Sequence, residues 1–203
     1  MYYQEITLLP DSEISPHFIW QKLYTQLHIA LADVYNQHGI NTIGVSFPDY
    51  RYELAGNKRV ATLGKRLRVF AQSERDLYTL NLTAWLARLS DYVHIKRISE
   101  VGNKAKSYVV VKRYRYKHPL IKAMEYAKYK GINVVTALQT LPKDYAQGKQ
   151  DIPFVYIHSE STQRNGKKHQ FRLSIWQEQT NQPRNGVFNR YGLSQDGTTV
   201  PHW

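Results

Sequence analysis

Two groups of residues have the types and spacing for chemistry on a phosphodiester. The first is His28, set in an apolar run at helical spacing: Ile19, Leu23, Leu27, Ala30 and Val34. It adjoins Leu27 and lies one turn from Tyr24 and Leu31. That puts it on the flank of the stripe, where packing holds the ring and leaves one edge accessible. Histidine is the natural proton-transfer group near neutral pH. The second group is Lys112-Arg113-Tyr114-Arg115-Tyr116-Lys117, in which cations alternate with tyrosines. Cations neutralise phosphates and aromatic rings stack on bases, which suits RNA or single-stranded DNA better than a membrane. Taken alone, each group also has a plainer reading: a boundary histidine with one satisfied hydrogen bond, and a solvated basic strand.

RNA carries its own nucleophile, the 2′-hydroxyl beside each phosphate. A protein that exploits it needs a proton-transfer group, an in-line geometry and donors for the phosphorane charge. A metal site has little support. The other histidines are His17, His38, His94, His118, His158, His169 and His202. No two are three or four residues apart, and no dense carboxylate cluster accompanies them. The chain has no cysteine, which excludes disulfides, thiolate metal sites and cysteine nucleophiles. The expectation is chemistry without a metal or a small-molecule cofactor.

Charge points to the same ligand. Residues 1–95 hold nine Lys/Arg and nine Asp/Glu, whereas residues 96–203 hold nineteen and seven, the whole net charge of +12. A charge confined to one half suggests a surface built for a polyanion. At 203 residues, 42% of them hydrophobic, the chain has material for one large or two small folded domains. Met1–Pro10 lacks a basic region followed by an apolar stretch, and no run approaches the 18 apolar residues of a membrane span. A soluble, cytoplasmic protein with no membrane partner is expected.

These residues need elements to position them. Tyr2–Leu9 reads as a strand, and Ser15-Pro16 as a capped helix start, with Gly39 ending the run. Ile43–Phe47 is a short strand, residues 49–62 are loop-like, and Leu63–Ala71 alternates as a strand. Ser73 with Asp76 opens a helical stretch to about Tyr92, broken near Asn81, and Val93–Glu100 is again extended. Strand, helix, strand, strand, helix, strand is the split βαβ order of a ferredoxin-like domain. The expected fold is therefore α+β, with a ferredoxin-like domain over 1–97 carrying His28. A basic domain over 98–203 follows. It opens with strand Ser107–Tyr116, helix Pro119–Lys130 and a helical piece at Val134–Leu141. A polar linker at 142–150 then leads to strands Ile152–His158, His169–Trp176 and Val187–Leu193. A βαββαβ sheet can stack bases on its face, but Leu63-Gly64-Lys65-Arg66-Leu67-Arg68 lacks the aromatics of that signature.

Further segments narrow the reading: Gly44-Val45-Ser46-Phe47-Pro48-Asp49; Ile152-Pro153-Phe154-Val155-Tyr156-Ile157-His158-Ser159-Glu160-Ser161-Thr162, running on to Gln170-Phe171-Arg172-Leu173; and Tyr191-Gly192-Leu193-Ser194. With Leu27-His28, these resemble the type I-F CRISPR RNA-processing endoribonuclease family, from Met1 to the C-terminus and least between about 117 and 150. The resemblance implies a metal-independent enzyme that cuts CRISPR repeat RNA at the 3′ base of a stem-loop. It implies that the enzyme keeps the product hairpin of the guide RNA and joins other subunits of a type I-F interference complex. It makes His28 the proton-transfer residue. Ser159 positions the 2′-hydroxyl, with Ser161 as the second serine of the motif. Tyr191 orients the histidine, and Phe171 stacks on a nucleotide beside the cut.

The same resemblance puts base reading on an Arg-x-Gln, and Arg113 matches its arginine. Arg115 replaces the glutamine, which favours guanine over adenine. Both are expected on one face of an extended strand. Lys112, Lys117, Lys122 and Lys128 are further RNA-binding candidates, although the helix over 119–130 has lysines where the family has arginines. An insertion near Gln163–Lys168 lengthens a loop whose Arg164, Lys167 and Lys168 are placed for backbone phosphates. The rival reading is a module that caps a structured RNA without cutting it.

Overall fold

The computed structural model describes residues 1–55, 58–142, 152–164 and 167–203, with 54–55, 58, 159–164 and 167–169 described in backbone only. The fold is α+β, with antiparallel sheets and five helices among the described residues.

The first sheet has the order β2(Gly44–Ser46)–β5(Arg66–Ala71)–β1(Tyr2–Leu8)–β6(Val93–Ile95), all antiparallel, and β7(Ser99–Glu100) also pairs with β1. Helix α1(Pro16–His38) follows β1 and helices α2(Glu74–Leu80) and α3(Leu82–Trp85) follow β5, an arrangement consistent with a ferredoxin-type domain. The caps are those that the sequence predicts. Ser15 Oγ accepts the Phe18 N–H, Pro16 takes the first helical position, and Gly39 closes α1 at φ 69° with its N–H on the Tyr35 carbonyl. Asn81 stands at φ 45°, ends α2, and caps α3 by accepting the Ala84 N–H.

The second sheet has the order β11(Val200–His202)–β8(Ser107–Arg113)–β10(Lys167–Thr180)–β9(Phe154–Arg164). Helices α4(Pro119–Lys130) and α5(Val134–Gln139) pack on each other through Ala123, Ala127 and Ala137. Buried side chains of both sheets form one cluster, with Val45, Phe47 and Val69 in the same core as Val111, Leu173 and Ile175. No described helix is long and apolar enough to cross a membrane.

Several elements differ from the sequence expectation. Where the sequence reads as loop, β3(Arg51–Ala55) and β4(Lys58–Thr62) pair as antiparallel strands. The Tyr52 ring meets Trp176 edge-on, so tertiary contact supplies what the polar sequence does not advertise. β8 ends at Arg113, three residues early, so Arg115 is not on the strand. Val187–Leu193 is a turn with one isolated bridge, Phe188 to Ser194, and the C-terminal strand is Val200–His202. Gln163 and Arg164 belong to β9 and Lys167 and Lys168 to β10, where a lengthened loop is expected from the sequence. The linker expected at 142–150 lies outside the described residues, except for Leu141's neighbour at 142.

Candidate active site

The turn at 188–194 builds the site. Asn189 Oδ1 accepts the N–H groups of Tyr191 and Leu193, and the Gly192 N–H returns to the Asn189 carbonyl. Gly192 sits at φ 70°, and a Cβ there would come within 2.7 Å of Val45 Cγ1, so both backbone and space require glycine. The turn is tied to both sheets. Val45 N–H donates to the Gly192 carbonyl and Ser194 N–H to the Val111 carbonyl. Helix α1 holds it as well, because the buried Tyr24 hydroxyl donates to the Tyr191 carbonyl at 2.9 Å. Burial raises the Tyr24 pKa, which keeps that donor protonated.

Against this turn stands His28, half-buried on the flank of α1. Its Nδ1 is 2.7 Å from the Arg190 carbonyl oxygen. A carbonyl can only accept, so Nδ1 carries the proton and Nε2 is left with a lone pair. The Tyr191 ring lies parallel on the imidazole, with centroids 4.1 Å apart and planes at 15°. Burial lowers the His28 pKa from its ordinary value, the Arg190 carbonyl opposes this, and the Arg190 charge lowers it further. The result is a neutral, oriented imidazole with a basic nitrogen, suited to take a proton near pH 7.

Phe171 extends the cluster. Its ring meets Tyr191 edge-on, with centroids 6.4 Å apart, and the Arg113 guanidinium lies 5.3 Å from its centroid. Arg113 is the last residue of β8, on the same face as the buried Val109 and Val111. Burial and the neighbouring Arg115 charge lower its pKa, opposed by Tyr191, but a guanidinium stays cationic throughout. Four sequence candidates therefore meet: His28, Tyr191, Phe171 and Arg113. Arg115 is exposed just past the strand, close enough for its charge to act on Arg113.

The serines fall where β9 is irregular. Ser159 pairs with His169 and Gln163 with Lys168, so Glu160–Thr162 have no partners in the ladder. The side chains of Ser159 and Ser161, and of Arg164, Lys167 and Lys168, lie outside the described residues.

The lysines are more scattered. Lys112 alternates to the opposite face from Arg113 and pairs with Glu178 at 3.0 Å. Lys117 binds Glu125 at 2.6 Å. Lys122 and Lys128 are exposed on α4. Asn189, whose side chain caps the turn, and Arg190, whose carbonyl meets His28, are not among the sequence candidates. Asn189 and Gly192 are the turn signals in a segment whose apolar residues read as a strand. Among the described residues, no three of His, Cys, Asp or Glu gather to hold a metal ion.

Comparison with known proteins identifies the chain's relatives. It is 30% identical over 198 residues to the CRISPR-associated endonuclease Cas6/Csy4 of Pseudomonas aeruginosa (strain UCBPP-PA14), covering 97% of this chain and 96% of that protein. The protein of the same name in Escherichia coli (strain UTI89 / UPEC) is 29% identical over 199 residues, covering 97% of each. The solved structure titled "An RAMP protein binding different RNA substrates" aligns over 98% of each chain at 12% identity, with a TM-score of 0.34. The family model for CRISPR-associated protein (Cas_Csy4) matches residues 3–203, and the chain belongs to that family.

Proposed function

We propose that this protein is a metal-independent endoribonuclease that cuts CRISPR repeat RNA at the 3′ base of a stem-loop. The observation that carries the reading is the His28 imidazole, fixed by the Arg190 carbonyl and the Tyr191 ring with Nε2 free. In the proposed reaction Nε2 takes the proton of the 2′-hydroxyl upstream of the cut. The 2′-oxygen attacks the adjacent phosphorus and the bond from phosphorus to the 5′-oxygen breaks. The departing 5′-oxygen takes a proton from solvent, to which the imidazolium then returns its own, leaving a 2′,3′-cyclic phosphate (or, after its hydrolysis, a 3′-phosphate) and a 5′-hydroxyl. Ser159 orients the 2′-hydroxyl, and Phe171 stacks on the nucleotide beside the cut.

Division of labour follows the charge. The 1–97 part supplies His28, and the basic 98–203 part holds the stem. Arg113 and Arg115 read lower base pairs, while Lys112, Lys117, Lys122, Lys128 and Ser161 meet the RNA backbone. The product hairpin stays bound, and the protein takes its place among the subunits of a type I-F interference complex in the cytoplasm.

The test is cleavage of the cognate repeat RNA in EDTA, with analysis of the product ends. His28→Ala is expected to lose cleavage by roughly 10²–10⁴-fold and to keep hairpin binding. A 2′-deoxy nucleotide just upstream of the cut is expected to block the reaction. Cleavage of the deoxy substrate would make an external water the nucleophile and overturn the mechanism. Tight hairpin binding with no turnover would leave only a capping module.

A further inference from the structure

One face of α1 carries more than His28. Tyr24, Gln21 and His17 lie four, seven and eleven residues before it, at spacings that stack on a single helix face. At 1.5 Å per residue the line from His28 to His17 is about 16 Å long. It runs beside β9, the edge strand of the second sheet. Tyr24 bonds the catalytic turn. Gln21 Nε2 lies 2.8 Å from His158 Nε2, which joins helix to strand. At the far end, His17 stacks on Phe154, with centroids 6.2 Å apart and planes at 25°.

That far end is an aromatic and cationic surface. Phe154 and Tyr156 alternate onto one face of β9 and meet edge-on at 5.1 Å. Arg172, opposite Tyr156 on β10, holds its guanidinium 3.9 Å from the Phe154 centroid and donates to the Ile152 carbonyl at 3.0 Å. Tyr156 is 44% exposed, so part of its ring is open to a ligand. A cleft of about 330 Å³ opens beside Phe154, lined also by His17, Trp20, Leu63 and Arg172, with no carboxylate on its walls. This surface lies on the opposite face of β9 from Ile157, and so from the Phe171 side of the sheet.

We infer that His17, Phe154, Tyr156 and Arg172, at the far end of the α1–β9 seam from His28, form a stacking platform for the single-stranded RNA adjoining the stem-loop. The inference rests on the proposed function, because the seam starts at the residue argued to act on the phosphodiester. Exposed aromatic rings bind unpaired bases without reading sequence, and planar guanidinium groups add stacking and phosphate contact. A paired stem cannot offer those faces, so the ligand is the unpaired flank.

The experiment measures the affinity of the full chain for the minimal repeat hairpin and for hairpins extended by a few unpaired nucleotides on the 5′ or the 3′ side. The readout is the ratio of minimal to extended Kd. The wild type is expected to prefer one extension by about fivefold or more, the effect of stacking one base. Tyr156→Ala is expected to bring that ratio to one, and Tyr156→Phe to keep it. A wild-type ratio of one for both extensions overturns the platform while leaving hairpin recognition intact. An extension preference that survives in Tyr156→Ala and in His17→Ala puts the flank elsewhere and also overturns it. A wild type that binds no repeat hairpin sinks the functional reading and the platform with it.

Discussion

The Tyr191 ring lies flat against the His28 imidazole at 4.1 Å, while the carbonyl of the preceding residue, Arg190, holds Nδ1 of the same ring. Two consecutive residues of one turn therefore fix both the plane and the tautomer of the histidine. The turn cannot drift independently, because β2, β8 and α1 each donate or accept one of its hydrogen bonds. The position of Nε2 is set by the junction of the two sheets rather than by α1 alone.

The stack predicts a graded response at Tyr191. Aromatic pairs contribute about 0.5–1.5 kcal/mol beyond area burial. Tyr191→Ala is expected to slow single-turnover cleavage by roughly tenfold with hairpin Kd little changed. Tyr191→Phe keeps the ring and is expected to stay near wild-type rate. If Phe is as slow as Ala, the phenol hydroxyl and not the ring face carries the role.

The pH profile has a defined sign. A base must be neutral, so cleavage falls as pH drops through the His28 pKa, which burial and then the Arg190 charge place below the ordinary 6.5. The acid limb of the rate profile is therefore expected below that value. Arg190→Gln removes the cation but keeps the backbone carbonyl, so the limb is expected to move to higher pH. A shift to lower pH in single-turnover rates would show that Arg190 acts otherwise on the imidazole.

The sequence made α1 fully legible, because the Ser15-Pro16 start, the apolar stripe and Gly39 all speak for the same helix. Pro119–Lys130 was legible for the same reason, with Pro119 at its first turn and Gly131 at its end. The β3–β4 pair was not, since its polar sequence shows no sign of the contact that Tyr52 makes with Trp176 on a distant strand. The 188–194 turn was misread because Val187, Phe188 and Leu193 look like a strand, while the Asn189 side chain and Gly192 impose the reversal. His28 stands out from its place on the flank of the α1 stripe, whereas Phe171 and Tyr191 stand out only through motif resemblance. The meeting of His28 with Tyr191 joins residues far apart in the chain, which no local pattern encodes.

A buried ion pair predicts where the fold is most sensitive. Glu5 and Arg68, opposite each other on β1 and β5, are each 4% exposed in their side chains and bond at 2.7 Å. Arg68 also donates to the Trp203 carbonyl and lies 3.8 Å from that residue's ring centroid, while Lys96 bonds the second Glu5 oxygen. Burial raises the Glu5 pKa, but Lys96 and Arg68 outweigh it and leave the carboxyl below its ordinary value. Glu5→Ala strands a buried guanidinium and is expected to lose about 3–5 kcal/mol in urea unfolding. The native pair's contribution is present above the ordinary carboxylate range and is lost as pH falls through the lowered value. A loss under 1 kcal/mol would mean that Arg68 finds enough compensation from Trp203.

Base reading separates Arg113 from Arg115. Arg113 is half-buried at the end of β8 with its guanidinium over Phe171, so its direction is fixed by the protein. Arg115 lies past the strand and is exposed, outside the ladder that holds Arg113. A base reader loses about 1–3 kcal/mol on the cognate stem when removed and much less on a stem with the contacted pair changed. A phosphate contact weakens all stems equally and flattens the salt dependence by about one unit. Arg113→Ala is expected to follow the first pattern. Arg115→Ala is expected to follow it too, with guanine preferred, because arginine matches the guanine O6 and N7 pair. The decisive measurement is the Kd of both variants on a panel carrying every lower base pair at two salt concentrations. A uniform loss for Arg115→Ala across that panel, with the flatter salt slope, would make it a phosphate contact.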